Sequence, residues 1–356
     1  MPSTPLGFTG VDDSSTAHPN RHSPRAAGSG PEHRVSRRAF LKTSIAGAAL
    51  AIVTPPLAPT ARTQPVIPPK PRRVAGPKRT YALEQIRKMR GGSQPHLMRC
   101  SDGGYYVVKF QNNPQHRRVL VNEMLGTGLA AALGLPTAPT CPIYVAERLI
   151  ELTPQLSMEM PRSWIPCQSG MQFGSRYPGD PRRPNVCDSI PQWELHKVTN
   201  LWDFAGMFVF DKWVCNTDGR QVLFIRETDT SPFSRVSYTA VMIDQGMCFD
   251  CGDWKFPDAP LRSIYYHKEV YKGVRGIGDF EPWLSRLESE INLQVLTQAA
   301  NEIPPEWYES DRPALDELLE RLDRRRRTIR ETVSAVCSAS PRVFPNWRRS
   351  VREAVG

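Results

Sequence analysis

The sequence predicts an α+β protein in two lobes, a small β-rich lobe with one long helix and a larger, mainly helical lobe, behind a disordered extension. Three observations carry that reading. The composition changes at about residue 77; a hairpin ending in a lysine feeds a long helix before residue 133; and an apolar helix, a polar loop and a second hairpin place aspartates at positions 218 and 244. The expected division is 1–77 extension, 78–150 small lobe, 151–340 large lobe and 341–356 tail.

Residues 1–77 hold ten Lys/Arg against three Asp/Glu, a net of +7 out of the chain's +10. They also carry 13 of the 34 prolines, none of the eight cysteines, and only Phe8 and Phe40 as aromatics. Such a segment cannot bury enough apolar surface to offset the entropy of ordering. The basic excess therefore sits in the extension, and the remaining chain does not read as a nucleic-acid binder. Within the extension, SRRAFLK (Ser36 to Lys42) precedes a short apolar run, and 36–58 resembles a twin-arginine export signal. Two locations stay open, the cytoplasm and export by that route. No apolar run is long enough to span a bilayer.

From Lys78 the texture is globular. Tyr81 to Met89 reads as a short helix or strand, followed by a Gly-Gly loop, strands at His96 to Cys100 and Tyr105 to Phe110, and a turn at Ser101 to Gly104. Asn113-Pro114 is expected to start a helix running to Leu133, with Leu125, Leu129 and Leu133 packing on the sheet and Gly134 and Pro136 stopping it. A strand is expected at Thr140 to Val145 and another leading into the Pro/Gly-rich stretch before Pro184. A helix from Asn200 through Trp213 precedes a hairpin of Val222 to Arg226 with Val236 to Ile243. Helices follow at Phe280 to Asn292, Leu293 to Glu302 and Pro313 to Val336, the last carrying Arg324 to Arg327, read as a solvated face. Cys248 and Cys251 form a C-x-x-C without a second ligand pair, so packing beside the Asp244 loop outweighs a zinc or redox role.

The pair of aspartates points to phosphoryl transfer. Asp218 follows a helix and opens a hairpin, where a carboxylate can orient an attacking hydroxyl; the plain alternative is an Asp-Gly turn. Asp244 emerges from the apolar run Val241 to Ile243, where a carboxylate is costly without a partner or metal. Lys109 ends a strand beside Gly91, Gly92, Ser93 and Gln94, a loop whose backbone can approach phosphates. Glu123, 14 residues on, is the natural partner for that lysine.

The stretches RGGSQPHLM, YYVVKFQNNPQHRRVLVNEML, LAAALGLP, QFGSRYPGDP, FDKWVCNTDGRQVLF and MIDQGMCFD closely resemble the bacterial HipA-like kinase family, in the branch of stand-alone domains, from about Lys78 onward. The resemblance implies a protein-kinase-like fold that uses ATP and Mg²⁺ to phosphorylate a Ser or Thr of a protein. It makes Lys109 the ATP-contacting lysine, Asp218 the catalytic aspartate, Asp244 the metal-binding aspartate and Glu123 the helix glutamate. One position departs: relatives have a metal-binding asparagine where this chain has Leu223. Gln221 or Asn216 is the candidate replacement, since Mg²⁺ takes oxygen ligands. Failing both, the resemblance implies a pseudokinase that binds nucleotide or a partner without transfer, exported or not. The protein substrate and the oligomeric state are not legible.

Overall fold

The computed structural model describes residues 79–228, 235–257 and 262–348; the extension with its paired arginines lies outside them. The small lobe is a closed five-stranded barrel. Its strands are β1 (Thr80–Lys88), β2 (His96–Cys100), β3 (Tyr105–Lys109), β4 (Thr140–Val145) and β7 (Gly170–Arg176), in the order β1-β2-β3-β7-β4. Parallel pairing of Thr80 with Ile143 and Tyr81 with Tyr144 closes it. The alternation of a strand explains the interior: Tyr106 and Val108 of β3, and Met98 and Cys100 of β2, enter the small core, so Val107 and Lys109 face the other side. The β2–β3 turn is fixed by Gly103 at φ +79° and by Asp102 Oδ1 accepting from the Gly104 amide at 2.9 Å.

Between β4 and β7 lie α2 (Glu147–Glu151) and the hairpin β5 (Ser157–Met160) with β6 (Ser163–Pro166). Ile150, Leu156, Met158 and Cys167 all join the small core. The small lobe thus extends well past the boundary expected at 150, because β7 is the strand that joins β3 to β4.

The first long helix, α1 (Arg118–Ala132), begins later than Asn113-Pro114 suggested. Asn113 Oδ1 instead accepts from the amides of Gln115 and His116, closing a side-chain turn ahead of the helix. Gly134, at φ +75°, ends it as expected. Leu125, Leu129 and Leu133 join Leu120 and Val121 in the large core, not the barrel core; α1 packs on β4 and β7 and also on a helix of the large lobe, bridging the two.

That lobe is built round α3 (Asp203–Trp213), which is buried on every side, as a central helix must be. Asn200 does not cap it: its amide reaches Asp203 Oδ2, and its carbonyl receives the Ala240 amide at 2.8 Å. Beside α3 stands a sheet in the order β10-β9-β8, from β8 (Val186–Cys187), β9 (Gln221–Thr228) and β10 (Val236–Ile243). Gln221 pairs with Ile243, so the residues just outside this hairpin, Asp218 and Asp244, leave from the same end.

The remaining helices are α4 (Trp283–Ser289), α5 (Leu293–Asn301), α6 (Arg312–Arg326) and α7 (Ile329–Ala339). The single helix expected from Pro313 to Val336 is two, broken at Arg327-Thr328. The arginine run is also only half solvated. Arg325 donates to the carbonyls of Lys212 and Trp213, and Arg326 to that of Glu288, while Arg324 and Arg327 pair with Glu320 and Asp323. Past 340, Val343 and Phe344 are buried in the large core, so the expected tail starts within the lobe. No helix among the described residues is long and apolar enough to cross a membrane.

Candidate active site

A cleft of about 780 Å³ lies between the barrel and the β9–β10 hairpin. Val107, Ala138, Phe173, Val222 and Met242 give it apolar walls, and Lys109, Glu123, Asp218, Gln221, Leu223 and Asp244 all line it. Four elements far apart in sequence thus converge: the end of β3, the middle of α1, the loop after α3 and the end of β10.

Lys109 is the link. Its ammonium donates to Glu123 Oε1 and, at 2.7 Å, to Asp244 Oδ1. Burial alone would lower the lysine's pKa, but the two carboxylates outweigh it and hold the group above its ordinary value. Burial likewise opposes ionisation of Asp244, and Lys109 overcomes it, pulling the carboxyl below the usual range. Glu123 is raised, by burial first. Its oxygens also accept the amides of Gln245 and Gly246, each at 3.0 Å, so α1 holds the Asp244 loop as well as the lysine.

Asp218 lines the same cleft, exposed, in a loop that is itself tightly bonded. Its amide donates to Asn216 Oδ1 at 3.1 Å, its Oδ1 accepts from Gly219 at 2.7 Å, and Gln221 Nε2 reaches its Oδ2 at 3.2 Å. The Thr217 amide donates to the Met247 carbonyl at 3.1 Å and the Phe249 amide to that of Val214 at 2.8 Å, stitching the two aspartate loops together.

The other expected contacts divide. Asn216 is buried and turned inward, its amide donating to Asp211 Oδ1 at 3.0 Å, and it does not line the cleft. In the Gly-Gly loop, Arg90 and Pro95 line the cleft and Gly91, Gly92, Ser93 and Gln94 do not. Ser93 is buried; Gln94 bonds Lys88 Nζ and the Glu159 backbone, which ties the loop to the β5–β6 hairpin. Gly91, at φ +132°, makes the turn that this requires. Cys248 is fully buried beside the Asp244 loop, and burial raises its thiol far above the ordinary range, leaving it protonated and inert.

Three residues escaped the sequence reading. Asn122, next to Glu123 and fully buried, donates to the carbonyls of Gly246, Cys248 and Cys251 and accepts from the Trp254 indole. Arg220 and Asp211 form a buried ion pair beneath the two aspartate loops. Polar residues inside otherwise apolar stretches were the available signal, though their partners are distant in sequence.

The donor set suits a small hard cation. Asp244 and Gln221 bring oxygen atoms to the cleft, and among the described residues no cluster of three or more Asp, Glu, His or Cys side chains forms a ready-made metal site. Mg²⁺, which takes one or two carboxylates together with waters and substrate phosphates, fits so sparse a set.

Residues 83–336 match the HipA-like kinase family, and the chain belongs to that family. Its two-lobed α+β architecture is accordingly kinase-like. Among solved structures the chain is similar to the Golgi casein kinase, one crystal structure of which has Mn/ADP bound, at 14% identity and TM-score 0.39 over 72% of each chain. It is also similar to the Helicobacter pylori proinflammatory kinase CtkA, at 14% identity and TM-score 0.39 over 69% of this chain and 95% of that one. A comparison with curated proteins finds no match.

Proposed function

We propose that the cleft binds ATP with Mg²⁺ and transfers the γ-phosphoryl group to a Ser or Thr hydroxyl of a protein. The observation that supports this most is the contact of one buried lysine with both a helix glutamate and the aspartate that follows β10, in a cleft that Asp218 also lines. Lys109 neutralises the nucleotide's phosphates and Glu123 keeps it in place. The apolar walls accept the base. Arg90, which lines the cleft where Gly91, Gly92, Ser93 and Gln94 do not, adds a second positive charge for the phosphates. Asp244 with Gln221 holds the cation, and the inward turn of Asn216 leaves Gln221 as the replacement donor. Bound Mg²⁺ supplies neutralisation of charge on the transferring phosphate. Asp218 orients the hydroxyl and accepts its proton.

A test is transfer from γ-labelled ATP by the full chain, with Asp218→Asn and Asp244→Asn alongside and thermal shift recording nucleotide binding. Transfer by the wild type, lost in both variants while Asp218→Asn still binds nucleotide, is the expected result. Transfer that survives Asp218→Asn would sink it.

Leu223 supports a second reading. It lines the cleft, half-buried, where an oxygen ligand is expected, and an alkyl side chain offers a cation nothing. Mg²⁺-dependent ATP binding without transfer would select this pseudokinase, a nucleotide-dependent binding module.

A further inference from the structure

We propose that the buried Asp211–Arg220 pair is a strut that positions Asp218 and Asp244 together, and that both residues are therefore positioning residues of the site. The importance of the two aspartates rests on the kinase reading above; the bracing itself does not.

Asp211 lies on α3 and Arg220 just before β9, and both side chains are almost fully shielded from solvent. Arg220 engages Asp211 through both ends of its fork, Nε reaching Oδ2 at 2.9 Å and Nη2 reaching Oδ1. The remaining contacts go to neither helix nor hairpin interior. Nη1 donates to the Ile243 carbonyl at 3.1 Å and Nη2 to Gln245 Oε1 at 3.1 Å, the residues on either side of Asp244. On its other side, Asp211 Oδ1 receives the Asn216 amide, whose carbonyl oxygen receives the Asp218 backbone N–H. One ion pair thereby reaches both aspartates through their backbones.

The backbone of Asp244 explains the need. It sits at φ +59°, in the left-handed region that a non-glycine residue occupies only when its surroundings impose it. Arg220 pins the carbonyl before it, and Glu123 pins the two amides after it. A buried ion pair contributes little net stability compared with an apolar pair of similar size, so stability alone does not account for Asp211 and Arg220. A planar fork that grips a carboxylate and two carbonyl oxygens at once is a geometric device.

The decisive experiment is amide hydrogen exchange on the full chain without nucleotide, comparing wild type with Asp211→Leu/Arg220→Met. This double substitution removes the charges together and leaves none stranded. Exchange at Thr217, Asp218, Gln245 and Gly246 is expected to rise about tenfold or more, while Phe224 and Ala240 in the hairpin stay within about threefold. A uniform rise across the large lobe, or no rise at the four amides, overturns the proposal. Should the double variant fail to fold, Arg220→Lys, which keeps the charge and loses the fork, is read by the same criterion. If the wild type transfers phosphate, kcat of the variant falls about tenfold or more with KM for ATP within about threefold; an inactive wild type would end the kinase reading and leave the exchange result standing.

Discussion

The Lys109 ammonium lies 2.7 Å from Asp244 Oδ1, so the last residue of a barrel strand touches the residue that follows a strand of the other lobe. Removing it strands two carboxylates around a buried gap. Lys109→Met is expected to destabilise the protein by about 3–5 kcal/mol at neutral pH, measured by chemical denaturation. The sign with pH is fixed by Asp244, whose carboxyl is held below its ordinary value in the folded protein. That contribution is present above the ordinary carboxylate pKa and disappears as pH falls through the folded one. The gap between wild type and Lys109→Met should therefore narrow on acidification; a constant gap would exclude the pairing as its cause.

Asn122 gives a second prediction. With Asn122→Ala the carbonyls of Gly246, Cys248 and Cys251 lose a common donor and the Trp254 indole its acceptor, all in a buried region. The expected loss is about 3 kcal/mol, and limited proteolysis should cut first between residues 244 and 254. Cleavage at the same sites and rates as wild type would show that the loop stands without it.

His96 makes stability depend on pH from inside the barrel. The ring is fully buried, edge-on to Phe110, and burial, aided by the nearby Lys88 charge, lowers its pKa from 6.5 to about 4. The unfolded chain takes up the proton at higher pH than the folded one, so stability falls as pH drops from 6.5 to 4, by about 3 kcal/mol over the window. In His96→Gln the stability profile should be flatter over that interval. An unchanged slope would assign the acid sensitivity elsewhere.

Gly126 tests how closely α1 approaches the Asp244 loop. A Cβ there would stand 2.8 Å from Gln245 Cβ and 3.6 Å from Cys248 Sγ. Gly126→Ala gains about 1 kcal/mol of helix propensity but overpacks a buried contact at about 1–3 kcal/mol. A net loss of stability is expected, with transfer falling further than stability alone explains. A stabilised variant would mean that the loop yields freely.

That Lys109, Glu123, Asp218 and Asp244 meet at one cleft could be expected from the chain, because three of them stand beside strand ends and Glu123 follows in the next helix, landmarks that survive without knowledge of the fold. The contacts of Arg220 and Asn122 could not. Asn122 donates to a carbonyl 129 residues away in chain order, Arg220 reaches residues 9 to 25 positions off on two different elements, and no periodicity encodes such meetings. The break between α6 and α7 was hidden for a related reason. Leu315, Leu318, Leu319 and Leu322 continue into Ile329, Val333 and Val336 at helical spacing with no Gly or Pro between, while the break coincides with arginines that bond backbone carbonyls of other helices. Asn113 misled in the opposite way, because a good capping residue also closes side-chain turns.

The placement of β7 carries a consequence for synthesis. Strands β3 and β4 have no neighbour in common until residues 170–176 are made, so a chain halted near residue 150 displays two unpaired edges whose backbone groups invite pairing with another molecule. A truncation there should aggregate. The barrel becomes complete only when residues beyond the β5–β6 hairpin have left the ribosome, and any excised fragment of it must reach Arg176 to be free of sticky edges.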